Sequence, residues 1–127
     1  MEDIFTDDLR SEPEVAALAD LRRIYGATVR AHGGDPTIGP RLAALMRAAG
    51  LEDVRAGSVV NVLSTNEEKA FLVELIDSIR DGAIETGSAT EAEVADMRAA
   101  VRAAADDPGV TFYQARIFQV FGRRPAE

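Results

Sequence analysis

Apolar and polar positions alternate in two distinct rhythms along this chain, and the switch points outline its elements. Val15, Leu18, Leu21 or Arg22, Tyr25 and Val29 recur at helical spacing. They predict a helix from the Ser11-Glu12-Pro13-Glu14 start to about His32, with Ser11 as cap and Glu14 completing a capping box. Gly33-Gly34 stops it and Asp35-Pro36 begins a turn. Pro40 suits the first turn of a second helix, whose Leu42, Leu45, Met46 and Ala49 share a face, with Gly50 as the stop. Val54 to Ser64 then changes rhythm. Val59, Val60, Val62 and Leu63 are apolar on both parities, which predicts a strand covered on both faces.

Two further capping boxes follow, Thr65-x-x-Glu68 and Thr90-x-x-Glu93. The first opens a helix with Phe71 or Leu72, Leu75, Ile76, Ile79 and Ala83 inside, interrupted by Gly82 and stopped by Gly87. The second carries Val94, Met97, Val101 and Ala104 to the Asp106-Asp107-Pro108-Gly109 turn. Val110 to Gly122, rich in aromatic and β-branched residues, is the second clear strand. Met1 to Phe5 reads either as a strand end or as an unstructured start. The expectation is one domain over 1–127, α/β in class, with two long strands, an N-terminal strand stub and four helices. Two of those helices are inserted between the last two strands. So few strands make a poor sheet alone, which points to a second copy or another chain completing it.

Composition narrows the classes. The chain has 127 residues, enough for one real core, and an ordinary apolar share of 46%. A net charge of -8 argues against nucleic-acid and anionic-membrane partners. All 14 cations are arginine except Lys69. Without cysteine there is no disulfide, thiolate nucleophile or cysteine-based metal site. No apolar run approaches the roughly 18–20 residues of a membrane span. The acidic start is unlike a secretory signal, so a cytoplasmic setting is expected.

Four pieces in order carry a resemblance. They are Glu2-Asp3-Ile4, then His32 to Leu42 (HGGDPTIGPRL), then Ala48 to Val54 (AAGLEDV), then Arg116 to Pro125 (RIFQVFGRRP). Together they resemble the C-terminal half of Rossmann-like, S-adenosylmethionine-dependent class I methyltransferases, nearest the bacterial ubiquinone/menaquinone-biosynthesis type. The resemblance implies a partial Rossmann-like sheet in which Glu2-Asp3-Ile4 ends the family's fifth strand and residues 116–125 close the seventh. It also implies that 11–35 and 65–109 are lid segments over a sizeable, partly apolar substrate. The family holds its cofactor on a glycine-rich turn after the first strand. None of the ten glycines here forms a G-x-G, so no such loop is present. S-adenosylmethionine is therefore expected only if a complementary Rossmann half supplies its site. No metal is expected.

The ligand edge implied by the resemblance gathers Asp3, Phe5, Ser64, Phe112 and Tyr113 as substrate-facing candidates. His32, the single histidine, is an acid/base candidate or a polar residue suited to a helix C-terminus. Asn61, between valines, either finds a buried partner or faces a pocket. Glu2 and Asp3 are adjacent strand residues on opposite faces and do not make a working pair. Three functions stay open. They are a methyltransferase-like substrate-binding and lid domain unable to transfer methyl groups alone, a cofactor-independent cyclase or isomerase, and an interaction half or homodimeric pseudoenzyme.

Overall fold

The computed structural model describes residues 2–126. Its elements are β1 (Glu2–Phe5), β2 (Arg10–Glu12), α1 (Ala16–Ala31), α2 (Leu42–Ala48), β3 (Glu52–Val59), β4 (Val62–Leu63), α3 (Asn66–Glu85), α4 (Glu91–Asp106), β5 (Thr111–Tyr113) and β6 (Arg116–Arg123). Short 3₁₀ turns follow β1 (Thr6–Asp8) and precede α2 (Gly39–Arg41).

The strands form two antiparallel sheets of three, ordered β1-β6-β3 and β2-β5-β4. Three extended stretches each break once and serve both sheets. The first breaks at the Thr6–Asp8 turn, the second at Val60-Asn61 and the last at Gln114-Ala115. The register carries through, from Phe5 opposite Arg116 to Arg10 opposite Tyr113, and from Val59 opposite Ile117 to Val62 opposite Tyr113. Two of the breaks are stapled together. Gln114 donates its backbone N–H to the Asn61 carbonyl at 3.0 Å, and Asn61 Nδ2 donates to Gln114 Oε1 at 3.0 Å.

The expected partial Rossmann-like sheet is corrected by this topology. Among the described residues the chain is a mixed α/β protein with two antiparallel sheets and four helices, and no two strands pair in parallel. The last strand runs antiparallel between the other two, so β1 and β3 never meet, and the strand breaks divert the remaining segments into a second antiparallel sheet instead of extending a parallel one. The double-faced cover expected for Val54 to Ser64 is also absent. β3 is an edge strand, its outer face bare, and Val59 is 44% exposed.

Between α1, α3, α4 and the β2-β5-β4 sheet lies the main core. Ser11, Phe112 and Leu63 stand in register and all three are buried, with Phe112 at 0% exposure. The helical stripes supply Leu18, Leu21 and Ile24, then Leu72 and Ile76, then Val94, Met97 and Val101. Both later capping boxes form with both hydrogen bonds, at Thr65 and at Thr90. Gly33, Gly50 and Gly87 take positive φ at three helix ends. The first helix starts later than its sequence suggests. Ser11 belongs to β2, the Glu12–Pro13 peptide is cis, and Ser11 Oγ accepts from Val15 N–H at the helix boundary.

A smaller apolar patch sits under α2, where Leu42 and Val120 are buried. Gly39 packs against the Phe118 ring so tightly that a side chain there would collide with it. Arg116 binds the sheet crosswise, donating to Asp8 at 2.9 Å and to Ser58 Oγ at 3.0 Å.

Lys69 is buried at 0% exposure without a carboxylate partner among the described residues. Its ammonium donates to the carbonyls of Asp107 (2.6 Å) and Val110 (2.9 Å) and lies 6.0 Å from the Phe112 ring centroid. It thereby clamps α3 to the turn that returns α4 to β5. Lys69→Met leaves both carbonyls without that donor and is expected to cost about 1–3 kcal/mol. In urea unfolding the midpoint should fall with an unchanged slope. A variant as stable as the parent would remove the clamp from this account.

Candidate functional site

The described surface carries one predominantly apolar groove, and it opens where the central strand breaks. Gln114 and Ala115 form its floor beside Ile4 and Ile117, a cross-strand pair of β1 and β6. Thr6 and Leu9 close one end, and Tyr25 of α1 with Phe71, Leu72 and Leu75 of α3 make the helical wall. The reason for the groove is local. At the break β5 gives way to Gln114-Ala115, and the helical residues facing it there are not fully covered. Phe71 is left 42% exposed. Its volume is about 180 Å³. A cavity of about 150 Å³ accepts a benzene ring, whereas drug-sized ligands occupy about 300–1,000 Å³. The groove therefore suits one ring or a short apolar chain.

Its polar equipment is sparse. Tyr25 is the one phenol among its lining residues, and burial, followed by the negative charge of Asp3, holds that phenol above its ordinary pKa of 10.0. The group is thus a neutral hydrogen-bond donor at physiological pH. Thr6 is already committed: its hydroxyl and N–H both donate to the Pro36 carbonyl, at 2.9 and 3.0 Å. Gln114 is committed to Asn61.

None of the seven sequence candidates lines this groove. Asp3 is exposed on β1, and its carboxylate accepts the neighbouring Ile4 N–H at 2.8 Å. It reaches the site only through its charge on Tyr25. Phe5 is half-buried opposite Arg116. His32 caps α1, its Nδ1 lying 2.9 Å from the Thr28 carbonyl, and its ring approaches α3 at Gly82. Asn61 serves the strand staple and is exposed rather than buried. Ser64 belongs to the α3 start, its hydroxyl 3.4 Å from Glu68 Oε1. Phe112 is core. Tyr113 is half-buried beneath the Arg10 guanidinium, 4.6 Å from its ring centroid. The structure brings Phe112, Tyr113 and Asn61 near the staple but does not converge the seven on a common space.

The groove residues were less visible in the sequence. The signal was the width of the α3 stripe. Phe71, Leu72, Leu75 and Ile76 cover more of the helix than one buried face requires. Among the described residues no group of three or more His, Cys, Asp or Glu converges as a metal-ion site would require. No described helix is long and apolar enough to cross a membrane. No known family model matches the chain, and no curated protein matches it.

Tyr25 gives the site a pH signature. Because its folded pKa is raised, its contribution to stability is complete below the unfolded value. It is lost as pH rises from there through the folded pKa. Urea midpoints followed from about pH 8 to about pH 11 should fall less steeply in Tyr25→Phe than in the parent. Asp3→Asn should narrow the window by removing the secondary cause. Identical pH profiles for parent and Tyr25→Phe would place the phenol outside the groove.

Proposed function

We propose that this chain is the substrate-holding part of a methyltransferase-like assembly, with S-adenosylmethionine held by a complementary chain. The observation that carries the reading is the apolar groove at the strand break, with a single neutral phenol on its wall. Such a groove holds a small aromatic or aliphatic group by burial, while one donor sets its orientation. The four sequence pieces that resemble the methyltransferases support the reading, as does the lack of any G-x-G turn for the cofactor. Alone, the chain does not transfer methyl groups. A cytoplasmic setting fits an acidic chain without cysteine.

A second copy in place of the complementary chain is the other reading. It is favoured by the bare outer face of the β1-β6-β3 sheet, where Phe121, opposite Arg55, is 66% exposed and Val59, opposite Ile117, is 44% exposed.

Phenol or indole titrated into the isolated chain should shift the NMR resonances of Tyr25 and Leu75. Leu75→Trp, which fills the groove, should abolish that response while leaving the fold intact. Calorimetry with S-adenosylmethionine should show no heat. Micromolar binding of that cofactor by this chain alone, or aromatic probes that leave the groove resonances unmoved, would overturn the reading.

A further inference from the structure

Gly26 sits buried in the middle of α1, where glycine is a poorer helix former than alanine. Its backbone is ordinary helix, so no unusual φ requires it. A Cβ built there would have ordinary room against Pro36, at 3.8 Å from its Cγ. The one crowded neighbour is the Arg30 guanidinium, whose Nη1 lies 3.2 Å away. The glycine thus clears a notch into which the Arg30 head folds back along its own helix.

Arg22, one turn before Gly26, lines the same notch. Its Nη1 donates to the Leu9 carbonyl at 2.6 Å, which fixes the head and leaves its remaining N–H groups free. Neither Arg22 nor Arg30 has a carboxylate within ion-pair distance among the described residues. This is notable in a chain with 22 acidic side chains. Arg23 lines the notch as well, but its guanidinium is drawn towards Asp20 at 3.7 Å and Glu93 at 3.8 Å. Asp7 also lines the notch and opposes an anion there, but it pairs with none of the three. The space is about 260 Å³, and it lies across the Thr6–Asp8 turn from the apolar groove.

We infer that this notch is a binding site for a phosphate group, gripped by Arg22 and Arg30 over Gly26. Guanidinium groups offer planar pairs of donors that match phosphate oxygens, and two held on one helix face supply both charge and direction. The site does not depend on the methyltransferase-like reading, since it uses neither the groove nor a cofactor.

The test is titration of the full chain with inorganic phosphate in low-salt buffer, followed by NMR at the α1 amides and by thermal midpoint. Phosphate should shift the amides around Gly26 and raise the midpoint, and acetate should bind clearly more weakly. Arg30→Gln and Arg22→Gln should each weaken phosphate by about tenfold or more, as expected for a lost charge-assisted hydrogen bond. Gly26→Ala separates binding from folding. It should raise the thermal midpoint through helix propensity while weakening phosphate, because the new methyl group displaces the Arg30 head. Absence of any phosphate response in the parent, undiminished binding in Arg30→Gln, or acetate binding as tightly as phosphate would each overturn the assignment.

Discussion

The Asn61–Gln114 staple governs the architecture of this protein. A three-stranded sheet long enough to use all of its β-forming sequence would project beyond the helices that can cover it. Breaking all three strands at one level solves this, provided the unpaired backbone at the break finds partners. The staple supplies them with one main-chain and one side-chain bond across the break. Below it, the short β2-β5-β4 sheet turns Phe112 and Leu63 into the helical core. Above it, the β1-β6-β3 sheet packs one face on α2 and the Gly39–Arg41 turn and leaves most of the other exposed. Strand irregularities commonly re-aim side chains beside binding sites, and here the break itself opens the apolar groove.

The helical layer depends on a second constraint of the same kind. Lys69 carries a charge into the core and satisfies it with two carbonyls of the α4–β5 turn and the face of Phe112. Arg98 adds an exposed, two-pronged pair with Asp77, at 2.6 and 3.1 Å, between α4 and α3. The exposed pair contributes little by itself. The buried clamp fixes where the last strand begins, and so sets the register that the staple then holds.

Much of the helical architecture was legible. Thr65 and Thr90 announce their helices because a capping box is a local transaction among four residues. The stripe of Val94, Met97 and Val101 is buried as its spacing requires. The start of α1 was misplaced because Ser11-Glu12-Pro13-Glu14 carries the same local marks, while pairing with β5 recruits Ser11 and Glu12 into a strand. The sheet was misjudged for a related reason. Val59, Val60, Val62 and Leu63 look like a strand buried on both faces. They are in fact the end of an exposed edge strand, a bend and a buried segment.

Sequence by itself determined the capping-box starts of α3 and α4, the buried stripe of α4, and that one lysine and one histidine stand apart from the arginines. These follow from neighbours within a turn or two of the chain. Tertiary structure alone decided that the strands pair antiparallel, that each divides between two sheets, and that the break leaves a groove beside Tyr25. Those outcomes rest on contacts between residues tens of positions apart, such as Asn61 with Gln114 and Lys69 with Val110, which no local pattern encodes.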